Sequence, residues 1–167
     1  VSPMTGNRNL PVLYLVIPCY NEEEVLPETA KRLTEKVHYM VRSEIIHPDS
    51  RILFIDDGSR DRTWQLIEEY SAAIPFADGV KLAHNRGHQN ALLGGLMTAK
   101  EYADVTISLD ADLQDDIDVI DEFMKQYYEG CEIVYGVRSA RDTDTFFKRF
   151  TAEGFYKLIN MMGGEVV

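Results

Sequence analysis

The chain is poor in several features, and each shortage removes a class of protein. Only two of its 167 residues are cysteine, Cys19 and Cys131. They lie far apart in sequence and read as reduced small hydrophobes rather than as a disulfide or a metal knuckle. The four histidines show no zinc-site spacing either. A reducing, cytosolic setting fits this usage. Positive charge is scarce, with 17 Lys and Arg against 28 Asp and Glu and a formal net charge of -11. A field of that sign disfavours passive binding to DNA, RNA or an anionic bilayer, so no nucleic-acid partner is expected. An anionic small ligand stays possible, because one arginine or one metal reverses the sign of a single pocket. No apolar run reaches the length of a membrane span. The N-terminus lacks the basic stretch and apolar run of a secretory leader, so a soluble chain is expected. G-x-G-x-x-G after the first strand and G-x-x-x-x-G-K-[ST] are both missing, which argues against nicotinamide, flavin and P-loop sites.

What is present is a patterned chain, 45% hydrophobic, suited to one globular domain with a sizeable core. Residues 1–11 are polar and rich in Gly, Pro and Asn and read as a loose tail, leaving 12–167 as the domain. Val12–Ile17 is a continuous apolar run closed by Pro18, the pattern of a strand buried on both faces. Asn21 and Glu24 have the spacing of a helix capping pair, and Pro27 places the helix start near itself. Ala30, Leu33, Val37 and Met40 or Val41 form the apolar stripe of that helix. Further strands are expected at 51–55, 80–83, 104–109 and 131–136. Further helices are expected at about 62–73, 87–103, 116–129 and 146–162. In the 87–103 helix Ala91, Gly95, Thr98 and Tyr102 share a face, and Gly94 and Gly95 make sense if it packs very closely on a sheet. Strand and helix alternate throughout, which predicts an α/β fold with a mostly parallel sheet and helices on both faces. The last residues, 161–167, read like a helix end running into a new segment, so the chain is expected to be C-terminally incomplete.

In an open parallel sheet, ligands bind beyond the carboxyl ends of the strands. The chemically loaded residues gather at those ends: Asn21 and Glu22, then Asp56 and Asp57, then His84 to Gly87, then Asp110 to Asp116, then Arg138. Asp110 and Asp112 are two apart, and in extended backbone such a pair points to one side. Two close carboxylates repel unless a cation neutralises them, and Mg²⁺ or Mn²⁺ prefers such oxygens. Gln114 adds a further oxygen. The bland alternative is a solvated acidic turn capping the next helix. Asp56-Asp57-Gly58-Ser59 also reads two ways. It is a good turn, or one carboxylate accepts from a ribose or base while the other helps a metal. Arg86 and Arg138 are candidates for phosphate contacts, because a guanidinium matches phosphate geometry, and Arg141 is a further loop cation. Arg138 alternatively makes an ordinary surface ion pair. His84 and His88 have no forced partner and read as structural.

Five blocks carry a resemblance: Val16-Ile17-Pro18-Cys19-Tyr20-Asn21-Glu22-Glu23, Ile55-Asp56-Asp57-Gly58-Ser59, His84-Asn85-Arg86-Gly87-His88-Gln89-Asn90-Ala91-Leu92, Asp110-Ala111-Asp112-Leu113-Gln114-Asp115 and Tyr135-Gly136-Val137-Arg138. Across residues 12–141 the chain resembles family 2 inverting glycosyltransferases of the GT-A fold, and among them the polyprenyl-phosphate sugar transferases of the dolichol-phosphate mannose synthase type. The resemblance implies that Pro18, Asn21 and Glu22 shape a nucleotide pocket and that Asp57 binds the nucleotide. It implies that Asp110, Asp112 and Gln114 hold a Mg²⁺ or Mn²⁺ bridging the donor diphosphate. It also implies that Arg138 reaches a phosphate from the acceptor loop. The catalytic pair is then Asp112 and Arg138, with Arg86 and Asp110 on the donor side. The implied reaction displaces a nucleoside diphosphate from a UDP- or GDP-sugar by a polyprenyl phosphate oxygen.

Relatives of this type commonly continue into a Gly-Asp-Phe-Arg stretch and membrane-associated helices. Membrane association at the cytoplasmic face is therefore expected through segments this chain lacks, and residues 1–167 are expected to bind the donor but transfer it poorly. A family 2 enzyme with a saccharide acceptor would look the same on the nucleotide side. A nucleotidyltransferase would call for a Gly-rich, basic loop after the first strand, and Asn21-Glu22-Glu23-Glu24 is not one. A nucleotide-sugar-binding module without turnover is the non-enzymatic alternative.

Overall fold

Among the described residues four strands and four helices alternate: β1 (Leu13–Cys19), α1 (Leu26–Arg42), β2 (Arg51–Asp56), α2 (Thr63–Ala73), β3 (Ala77–Lys81), α3 (His88–Ala99), β4 (Val105–Ser108) and α4 (Val119–Tyr128). The computed structural model describes residues 10–113 and 117–136. Gln114, Arg138, Arg141 and the helix expected at 146–162 lie outside them. The chain divides into two compact units, Val1–Glu132 and Ile133–Val167, and all eight elements belong to the first.

The sheet order is β3-β2-β1-β4, and every pairing is parallel. From β1 the chain steps outward through β2 to β3. It then crosses back to place β4 on the other side of β1. That reversal makes the gap between β1 and β4 the switch point of a doubly wound sheet. Strand alternation feeds two cores. Leu13, Leu15, Ile17, Ile52 and Phe54 pack with α1, α2 and α4, through Leu33, Val37, Met40, Ile67, Ile120 and Met124. Val16, Leu53 and Ile55 turn to the other face and pack with Ala91 and Ala99 of α3. With both faces covered, β1 and β2 need apolar residues at nearly every position, which is why they read as unbroken runs.

Four sequence expectations are corrected. Asn21 is not a helix cap. Helix α1 starts at Leu26 with Pro27 in its first turn and no side-chain cap, while Asn21 takes a positive φ of 55°. Strand β3 runs over 77–81 rather than 80–83. Its inner positions are small, and a Cβ on Gly79 would stand 2.4 Å from Ile67 Cγ2, so close packing of α2 hides the strand from an apolar pattern. Helix α3 stops at Ala99, where Tyr102 and Ala103 N–H groups fold back onto its carbonyl. Its buried stripe is Ala91, Gly95 and Ala99, with Thr98 and Tyr102 exposed. Residues 131–136 form no strand. Ile133 and Tyr135 are exposed, so this run lacks the buried face that fixes strand register.

Candidate functional site

The carboxyl ends of β1 and β2 deliver two loops side by side, and the loops are stitched together. The Asn21 N–H donates to Ser59 Oγ at 3.0 Å, Glu22 N–H to Thr63 Oγ1 at 2.8 Å and Glu23 N–H to Asp61 Oδ2 at 3.1 Å. In return Arg60 N–H donates to Asn21 Oδ1 and Arg62 N–H to Glu23 Oε2, both at 2.9 Å. Five loop N–H groups thus find side-chain acceptors across the gap, so the loops are held without secondary structure. Positive φ at Asn21 suits asparagine, which tolerates the left-handed region better than most residues.

Asp57 is buried and ties in a third loop. Its two oxygens accept from the backbone N–H groups of Arg86, at 2.6 Å, and Gly87, at 2.9 Å. Arg86 therefore enters the site through its backbone, and its side chain is exposed. Gly58 allows the same approach. Its φ is 70°, and a Cβ there would lie 2.7 Å from Asn85 N. Asp56 is fully buried. Its Oδ1 accepts from Ser59 N–H at 3.3 Å, and its Oδ2 has no hydrogen-bond partner among the described residues.

The fourth contribution follows β4. The backbone closes into a turn at 110–113, with Leu113 N–H donating to the Asp110 carbonyl, so the extended geometry expected for Asp110 and Asp112 is replaced. Within the turn Ala111 is buried and both acids are exposed. Thr29 of α1 anchors the turn, donating from Oγ1 to the Ala111 carbonyl at 2.5 Å. Glu22 feels this turn. Burial pushes its carboxyl above the usual glutamate range, and the negative charges of Asp112, Asp61 and Asp110 push it further.

Between these loops lies an open cleft of about 140 Å³. Pro18, Cys19, Tyr20 and Glu22 line it from β1 and the loop after it, and Asp57 from the end of β2. Asn85, Gly87, His88 and Ala91 close the remaining side. Cys19 is buried there, and burial, with Glu22 and Asp56 adding to it, raises its thiol far above the ordinary value. It is inert as a nucleophile in this state.

The structure thus brings Pro18, Glu22 and Asp57 into one cleft, with Asp110 and Asp112 near enough to Glu22 to act on its charge. Asn21 braces the wall rather than lining it. Sequence reasoning missed Ser59, Asp61, Thr63 and Thr29 as the braces, and His88 as a lining residue. The side chain of His88 is 60% exposed, with Nε2 3.8 Å from Asp110 Oδ1, so it is not a core histidine. Its place in the first turn of α3, at the carboxyl end of the sheet, was the available signal.

A doubly wound sheet with an acidic cleft at its strand ends, beside the switch point, is the architecture of the GT-A glycosyltransferases. The chain belongs to glycosyl transferase family 2, whose profile matches residues 14–165. It is 58% identical over 160 residues to "Uncharacterized glycosyltransferase YkoT" of Bacillus subtilis (strain 168), covering 96% of this chain and 48% of that protein. It is 38% identical over 146 residues to the "Bactoprenol glucosyl transferase" of Shigella phage SfV, covering 87% of this chain and 45% of that one. The chain therefore spans about half the length of the relatives it matches. The crystal structure of S. aureus TarS 1-349 in complex with UDP shares the fold, with a TM-score of 0.53 at 17% identity over 80% of this chain and 40% of that one.

Proposed function

We propose that this chain forms the donor side of an inverting, metal-dependent glycosyltransferase that moves a sugar from a UDP- or GDP-sugar to a polyprenyl phosphate. The observation that carries the reading is the gathering of Glu22, Asp110 and Asp112 beside a cleft whose wall is pinned by Asp57. Pro18 and Glu22 shape the nucleotide pocket, Asn21 braces it, and Asp57 holds the loop bearing Arg86 while keeping lone pairs for a nucleotide donor group. Arg138 serves the phosphates, while Arg86 takes part on the donor side through its backbone N–H on Asp57.

The donor set fits a hard divalent cation. Among the described residues no group of three or more His, Cys, Asp or Glu is arranged to hold an ion. Mg²⁺ and Mn²⁺ sites of this kind take one or two carboxylates and fill the rest with substrate phosphate and water. Asp110 and Asp112, with Gln114, are the residues that would hold it. When bound, the ion supplies charge neutralisation for the departing diphosphate. In the transfer itself a phosphate oxygen of the acceptor bonds to the anomeric carbon from the face opposite the diphosphate. The bond from that carbon to the diphosphate breaks, and the nucleoside diphosphate leaves. The acceptor phosphate is already ionised near neutral pH, so no strong general base is required of the chain.

The similarity to the bactoprenol glucosyl transferase of Shigella phage SfV supports a polyprenyl phosphate acceptor. With such an acceptor the enzyme works at a membrane, at its cytoplasmic face. Among the described residues no helix is long and apolar enough to cross one. The test is a transfer assay on membranes from cells expressing the full gene, with labelled UDP- and GDP-sugars. Added polyprenyl phosphate should carry label into the organic phase. Label appearing only on a saccharide acceptor would overturn the lipid-phosphate reading.

A further inference from the structure

The acids of the cleft leave a question about the anion it is read to take. Among the described residues no lysine or arginine lines it, and two of the lining residues are the carboxylates Glu22 and Asp57. Asn85 spends its side-chain oxygen on Gly87 N–H within its own loop. His88 is different. It lines the cleft, its side chain is 60% exposed, and its Nε2 stands on the side toward Asp110. At 3.8 Å the Asp110 carboxylate is too far for a hydrogen bond, so the imidazole is not locked onto it. A ring N–H in that position can donate to an oxygen entering the cleft beside Asp110.

We infer that His88 is a donor-binding residue that gives a ring N–H to an oxygen of the nucleoside diphosphate, between the nucleotide pocket and Asp110. This rests on the proposed glycosyltransferase reading, which supplies the diphosphate. His88 then sets affinity for the diphosphate part of the donor and leaves the nucleoside part to Asp57 and the β1 loop. It acts on the ligand directly rather than by orienting Asp110.

The experiment titrates UDP, GDP, uridine and guanosine into wild type, His88→Ala and His88→Gln at saturating Mn²⁺. It also measures the Mn²⁺ concentration that half-saturates diphosphate binding. His88→Ala should weaken the diphosphate about tenfold, the usual scale for a lost charge-assisted hydrogen bond. It should leave nucleoside affinity and the Mn²⁺ midpoint unchanged. His88→Gln should keep most of the affinity, because its amide still donates. Unchanged diphosphate binding, or an equal loss for the nucleoside, would overturn the assignment. So would a loss that disappears at higher Mn²⁺, since that places the effect on Asp110. Were wild type to take neither UDP nor GDP, the donor reading and this inference would fall together. A binding wild type with an unaffected His88→Ala would remove the inference alone.

Discussion

Gly94 and Gly95 sit side by side in α3 and have opposite physical reasons to be there. A Cβ on Gly95 would lie 2.6 Å from Val16 Cγ1 and 2.8 Å from Ile55 Cγ1, whereas one on Gly94 meets nothing within 4 Å. Gly95→Ala should therefore destabilise the domain by about 1–3 kcal/mol through overpacking. Gly94→Ala should be neutral or stabilising by up to about 1 kcal/mol, the helix-propensity difference. Urea unfolding of the two variants checks the pair, and equal effects would contradict the close approach of α3 to the sheet. The sequence shows two glycines with the same helix penalty, and only the packing separates them. Asp57 is a similar case. Its place at a strand end was legible, but its grip on the Arg86 and Gly87 N–H groups was not, because hydrogen bonds to backbone N–H carry no residue code.

The connection between the β1–α1 loop and the start of α2 works as a unit, and Asp61 is its most loaded member. Burial alone would raise the Asp61 carboxyl. Hydrogen bonds from the Thr63 hydroxyl and N–H and from Glu23 N–H outweigh it and hold the carboxyl below the ordinary aspartate range. A depressed carboxyl contributes stability above its unfolded value, and that contribution is lost as pH falls through the folded value. Asp61→Asn should lower the melting temperature at neutral pH by about 2–4 °C, the scale of roughly 1 kcal/mol in a domain of this size. The gap to wild type should narrow as the pH drops through the carboxylate range in a series of melts. A gap constant with pH would show that the charge of Asp61 does not matter. Elements with large apolar side chains at a regular period were readable, as the α1 stripe of Ala30, Leu33, Val37 and Met40 shows. Strand β3 was placed late because Ala77 and Gly79 pack against α2 by being small, without an apolar pattern. The strand expected at 131–136 had the right composition without the buried face.

Across the domain, one topological choice explains where the chemistry collects. Placing β4 beside β1 after β3 brings the acidic turn at 110–113 next to the loop after β1, and Glu22 registers the charge of that turn. The alternation of strand and helix made this architecture legible. The two-residue spacing of Asp110 and Asp112 marked both acids as candidates, and a turn anchored by Thr29, in place of an extended strand, presents them. A second charge feature ties α1 to the start of α4, where Lys36 pairs with Asp118 at 3.0 Å and with Asp121. The central claim is that the acids serve a metal-assisted nucleoside diphosphate site rather than a solvated turn. Calorimetric titration of UDP and GDP into wild type and Asp112→Ala, each with Mn²⁺ and with EDTA, addresses it most directly. The account predicts that one diphosphate binds wild type more tightly with Mn²⁺ and that Asp112→Ala loses this gain. Equal affinity with and without the metal, in a folded wild-type protein, would contradict it.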